Sequence, residues 1–158
     1  MLLGRREFIV VGAVSIVGAV DDPPPGLAVS HDIDLFPPPD GDAATTAAVN
    51  EHFGEGSAFE VEHDFYIESV GRWTLMTALD GWESRLIRVE SPSGVAGLCL
   101  SPLDLAYVKL DAGREKDIAY VRAMLGAGIL RKQEIEDAIA TAVPDTRLRL
   151  AAALRLAE

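Results

Sequence analysis

The sequence predicts an α+β fold, a mixed sheet flanked by helices with a helical C-terminal part, and three observations carry that expectation. Over the first 100 residues, short β-branched or alternating runs are separated by glycine- and proline-rich punctuation. From Ser101 onward the apolar residues recur at helical spacing, as at Leu103, Tyr107 and Leu110. The 158 residues are 49% hydrophobic. A chain of that length buries roughly 68–70% of its unfolded surface, so one soluble globular domain forms without disulfide or structural metal.

Taken in order, Phe8-Ile9-Val10-Val11 is a β-branched run ended by Gly12, and residues 13–19 read as one or two helical turns. Asp21-Asp22-Pro23-Pro24-Pro25-Gly26 reads as a surface loop, because proline lacks the N–H that helix or strand interiors use. Residues 30–36 alternate as a strand that Pro37-Pro38-Pro39 ends. Residues 40–53 read as a helix capped by Asp40 or Asp42, with Ala44, Ala47 and Ala48 on one face and Gly54 as its stop. Residues 65–70 form the next strand, and residues 85–89 and 94–100 a hairpin around Ser91-Pro92-Ser93-Gly94.

Ser101-Pro102 is a helix start, a capping hydroxyl followed by proline at the first helical position. Gly113 breaks or bends that helix, and Ile118, Val121 and Leu125 share a face of the next, which ends near Gly126 or Gly128. Residues 132–142 and 146–157 make two more helices, separated by Pro144. The expected organisation is a core over residues 1–100 and a helical region over residues 101–158 packed on it, in a single compact domain without internal repeats.

Fourteen Lys and Arg against 25 Asp and Glu give a net charge of −11. That balance argues against generic nucleic-acid binding or an anionic membrane surface, both of which need Lys and Arg to neutralise phosphates. Cys99, the one cysteine, lies in an apolar run and reads as a buried free thiol. His31, His52 and His63 lack zinc spacing, and Trp73 and Trp82 fit core packing better than base stacking. Phosphate-binding P-loop, nucleophile-elbow and dinucleotide-binding glycine motifs are absent from the sequence. Arg5-Arg6 ahead of the apolar residues 8–20 also fits an export leader, with Val17 and Ala19 as a cleavage site. A strand, turn and helix explain the same letters, and a cytoplasmic protein is the favoured expectation.

Asp32-Ile33-Asp34 is the most informative tripeptide. On a strand, side chains at i and i+2 share a face with Cα atoms about 6.5–7 Å apart, so both carboxylates can converge on Mg²⁺ or Mn²⁺. His31 alternates to the other face. Of only three lysines, Lys109 and Lys116 stand seven apart, which is one face if the helix runs through Gly113. Such a face reads equally as one that neutralises a triphosphate and as a salt-bridged solvent face.

Strand, glycine turn with Gly12 and Ser15, short helix, loop and Asp-x-Asp strand, in that order, resemble the entry to the nucleotidyltransferase fold of the DNA polymerase β type. Ala13 replaces the usual second glycine or serine of that turn. Leu100 to Leu110, followed by Arg114-Glu115-Lys116-Asp117, and Gly81-Trp82-Glu83-Ser84-Arg85-Leu86 resemble short relatives of abortive-infection toxin nucleotidyltransferases. The likeness covers residues 7–135. It implies a nucleotidyltransferase-type mixed sheet, Asp32 and Asp34 as metal-binding catalytic residues, and Gly12, Ser15, Ser30, Lys109, Arg114 and Lys116 as nucleotide contacts, with Asp117 in the same cleft. It also implies a third carboxylate on a neighbouring strand, here Glu68, with Glu60, Glu62 and Asp64 as alternatives. The activity implied is transfer of a nucleoside monophosphate from a nucleoside triphosphate to an unidentified hydroxyl, in a toxin–antitoxin or defence setting. The other reading is an inactive nucleotide-binding or regulatory module. Most family members carry a helix before the first strand, and only six residues precede Glu7, so the resemblance implies an upstream start or a partner chain that supplies that surface; the protein partner it implies is an antitoxin-like protein or a second copy.

Overall fold

The computed structural model describes residues 6–36 and 43–158, apart from the side chains of Arg72 and Trp73. Its five strands are β1 (Glu7–Val11), β2 (Asp32–Phe36), β3 (Tyr66–Ser69), β4 (Ile87–Glu90) and β5 (Ala96–Cys99), in the order β3-β2-β1-β5-β4. β1 runs antiparallel to β2 and parallel to β5, β2 parallel to β3, and β4 antiparallel to β5. This is the expected mixed sheet. The central strand β1 carries the apolar run, and its Ile9 and Val11 are buried.

Gly12, at φ 68°, turns the chain into the short helix α1 (Ser15–Ala19), whose Ile16 is fully buried. The proline-rich loop differs from expectation, because Pro25 opens a four-residue helix α2 (Pro25–Ala28) and buries Leu27. Proline at the first helical position loses no hydrogen bond, so Pro25 starts a helix where a loop was expected throughout.

After β2, the expected caps Asp40 and Asp42 lie outside the described residues. Helix α3 (Ala43–Phe53) turns Val49 inward and leaves Ala44 and Ala47 exposed, contrary to the expected alanine face. The reason is polar: Asn50 accepts the Ser69 N–H at 2.8 Å, so α3 docks on edge strand β3 through Asn50 and covers a backbone donor there. A further helix, α4 (Ala58–His63), was not expected. Ser57 caps it by accepting the Glu60 N–H, and the Glu60 carboxylate accepts the Gly56 N–H. Glu60 and Glu62 are therefore helical, and Asp64 is the left-handed residue that ends the helix. None of the three lies on a strand beside the aspartate pair.

Short 3₁₀ turns at Arg72–Leu75 and Trp82–Arg85 lead to the expected β4–β5 hairpin. Ser101 then caps α5 (Pro102–Ala112) by accepting the Asp104 N–H. Gly113, at φ 63°, ends α5, and α6 (Glu115–Gly126) begins as a separate helix. Helices α7 (Lys132–Ala140) and α8 (Pro144–Ala157) follow, and Pro144 opens α8 instead of separating it from α7. Leu105, Leu110, Val121, Met124, Ile135 and Leu150 from these helices join Ile9, Val11 and Ile16 in one core cluster. Trp82 packs against that core as expected, Trp73's side chain lies outside the described residues, and Cys99 is a buried free thiol.

Asp104 is completely buried, and Arg85 donates to both of its oxygens, through Nε to Oδ2 at 3.0 Å and a terminal nitrogen to Oδ1 at 2.6 Å, while the Ser101 hydroxyl also donates to Oδ2. That network joins the loop before β4 to the start of α5. Among the described residues, no helix is long and apolar enough to cross a membrane.

Candidate active site

The strand register builds one wall of a cleft. Val11, Asp34 and Glu68 are successive neighbours across β1, β2 and β3, so the Asp34 and Glu68 side chains stand side by side on one face of the sheet. Asp32 lies two residues before Asp34 on that same face. The Ser30 hydroxyl donates to Asp32 Oδ1 at 2.5 Å. Gly12 makes room for this group, since a Cβ there would meet Asp34 Oδ2 at 2.3 Å. Its missing side chain is thus where the carboxylate sits.

The opposite wall comes from α5 and α6. Lys109 Nζ lies 3.2 Å from Asp117 Oδ1, and Arg114 Nε 2.5 Å from Asp117 Oδ2, with Asp117 only 1% exposed. Lys109 also sits over the Tyr120 ring, 4.4 Å from its centroid. Burial alone would raise the Asp117 carboxyl, but hydrogen bonds from Arg114 and the charge of Lys109 outweigh it and hold the group below its ordinary value. Lys116 is exposed and lines the cleft without an ion-pair partner among the described residues.

Between the walls lies a cleft of about 740 Å³, within the common range for small-molecule sites. Asp32, Asp34 and Glu68 face it from the sheet, and Lys109 and Lys116 from the helices with Arg114 from the turn between them. Gly113 breaks the helix, the first of the two outcomes expected for it, so the conditional shared face does not arise and the turn brings the two lysines to one cleft.

Electrostatics centre on Asp34. Burial first, then the charges of Asp32 and Glu68, push its carboxyl from 3.8 to about 6, against the opposing pull of Lys109 and Lys116. Two acids this close favour a cation between them. Among the described residues no three His, Cys, Asp or Glu side chains stand ready-grouped around a metal ion. The donor set still suits Mg²⁺ or Mn²⁺, because Mg²⁺ ordinarily takes one or two carboxylates and completes its shell with substrate phosphates and water.

Gly12 and Ser30 line the cleft. Ser15 does not, because its side chain is buried and its hydroxyl donates to the Val10 carbonyl at 2.8 Å, so it braces the turn instead of meeting a ligand. Glu68 is exposed at the cleft edge, and His31 is an exposed residue near the Asp64 carbonyl. Sequence reasoning missed Tyr120 and the threonines Thr74 and Thr77, which also line the cleft. Nothing in their spacing marks them, since α6 and the Arg72–Leu75 turn meet the sheet only in three dimensions.

Paired strand carboxylates beside a positive-φ glycine, faced by two lysines and an arginine, have the chemistry of a site for a metal-bound polyphosphate, as in nucleotidyltransferases. The chain belongs to the family described as a nucleotidyltransferase of unknown function (DUF6036), whose model matches residues 2–141. No curated protein and no solved structure matches it.

Proposed function

We propose that the protein transfers a nucleoside monophosphate from a nucleoside triphosphate to a hydroxyl acceptor. The observation that carries this reading is the crowding of Asp34 between Asp32 and Glu68, directly across a cleft from Lys109 and Lys116. Asp32 and Asp34 would hold Mg²⁺ or Mn²⁺, which when bound supplies charge stabilisation to the entering and leaving oxygens of the α-phosphate. Glu68 takes the proton of the attacking hydroxyl as the new P–O bond forms. Lys109, Arg114 and Lys116 neutralise the pyrophosphate as the old P–O bond breaks, and Asp117 cancels only one of their three charges. Gly12 and Ser30 shape the wall beside the phosphates. The family resemblance suggests a cytoplasmic toxin–antitoxin or defence setting with an antitoxin-like partner or a second copy, and the net charge of −11 favours a small or protein acceptor over a long RNA.

A second reading, an inactive nucleotide-binding or regulatory module, is favoured by two observations. Ser15 turns its hydroxyl away from the cleft, and Glu68 stands exposed at its edge. Calorimetric titration of the four nucleoside triphosphates with Mg²⁺, paired with a pyrophosphate-release assay, separates the two. The transferase reading expects binding that Asp32→Asn weakens at least tenfold, with pyrophosphate released once an acceptor is present. Binding without release across varied acceptors supports the inactive module, and no binding at all overturns both.

A further inference from the structure

Tyr120, on α6, touches three parts of the cleft's surroundings at once. Its hydroxyl lies 3.0 Å from the Ala13 carbonyl oxygen in the glycine turn and 2.9 Å from the Leu27 carbonyl oxygen in α2. Its ring lies beneath the Lys109 ammonium, 4.4 Å from centroid to Nζ. Burial pushes the phenol up to about 12, so the hydroxyl keeps its proton and remains a donor throughout the neutral range.

The two walls of the cleft come from distant parts of the chain. The turn and the aspartates belong to the first 34 residues, and the lysines to α5 and α6. A polyphosphate bridging those walls needs them at a fixed separation, and Tyr120 contacts both. Its ring also does something Asp117 cannot: it holds the Lys109 ammonium by the quadrupole of its π-face without cancelling the charge. We infer that Tyr120 is a positioning residue, pinning the glycine turn and α2 to α6 and thereby setting the gap between the carboxylate wall and Lys109. The inference rests on the polyphosphate-binding reading proposed above. It assigns α2 a purpose as well, since Leu27 lies outside the cleft and is tied to α6 by the same hydroxyl.

Tyr120→Phe isolates this role, because it keeps the ring under Lys109 and removes only the hydroxyl. The probe is inorganic tripolyphosphate with Mg²⁺, which needs no knowledge of the base, and the readouts are calorimetric affinity, melting temperature and amide hydrogen exchange. The variant is expected to bind roughly three- to tenfold more weakly than the wild type, the size of one lost hydrogen bond. Its melting temperature should stay within about 3 °C, and exchange over residues 12–16 and 25–29 should quicken. Wild-type binding with an unchanged affinity in Tyr120→Phe overturns the inference and leaves the proposed function standing. Failure of the wild type to bind the probe removes both. Should the variant not fold, exchange in the wild type decides: saturating probe should protect residues 25–29 together with 12–16, and protection confined to 12–16 overturns the inference.

Discussion

Asp34 is where stability and the proposed function pull against each other. Its carboxyl holds a proton more tightly in the folded chain than its ordinary value of 3.8 allows, up to about 6. Between those values the folded state binds more protons than the unfolded one, so the group's contribution to stability falls as pH rises through the window and stays low above it. Because Asp34 is only partly shielded from solvent, the cost above pH 6 is discounted to about 1–2 kcal/mol. Asp34→Asn should therefore raise the metal-free melting temperature by about 3–6 °C at pH 8, with no gain at pH 3.5, while abolishing any transfer activity. Thermal melts of both proteins across that pH range check this, and a variant less stable than wild type at pH 8 would refute it. The placement of this residue was legible in the sequence, because the two-residue period of a strand puts Asp32 and Asp34 on one face wherever the strand sits. Ser15 was not: whether its hydroxyl meets a ligand or the Val10 carbonyl depends on the turn's three-dimensional path, not on spacing.

Elements were legible where local chemistry decides them. The Ser101-Pro102 start and the Gly113 stop of α5 follow from capping and from glycine's access to positive φ, and both stand in the structure. The same rules also encode the two unexpected helices: Ser57 and Glu60 make a capping pair for α4, and Pro25 opens α2 as Pro102 opens α5. What no local rule supplies is how elements dock, as with α3 meeting β3 through Asn50 while Ala44 and Ala47 face solvent. Arg85 and Asp104 show such docking, 19 residues apart in sequence and joined by a bidentate ion pair whose acid is fully buried. Arg85→Ala would leave that carboxylate with the Ser101 hydroxyl as its remaining donor, at a cost of about 3 kcal/mol. A fall in melting temperature of roughly 6–12 °C is expected, and Arg85→Lys should recover only part of it, since an ammonium cannot reproduce the two-pronged contact. An unchanged melting temperature in Arg85→Ala would show that the network does not hold α5 in place.

Across the whole molecule, a chain of net charge −11 gathers two of its three lysines and Arg114 around a single cleft and faces them with three acids. The scarcity of lysine made Lys109 and Lys116 visible in the sequence, but their meeting does not come from one helical face, because Gly113 ends α5 between them. The break lets α6 fold back on α5, and the turn carries Arg114 and Lys116 into the cleft beside Lys109. Nucleotidyl transfer at this cleft is tested most directly by incubating the protein with Mg²⁺, the four α-phosphate-labelled nucleoside triphosphates and total cell extract, then following the label into protein, RNA and small-molecule fractions. Label should enter one fraction with wild-type protein and fall to background with Asp34→Asn. Equal labelling by wild type and Asp34→Asn would contradict transfer at Asp34, and absence of label from every fraction would leave a nucleotide-binding module in place of an enzyme.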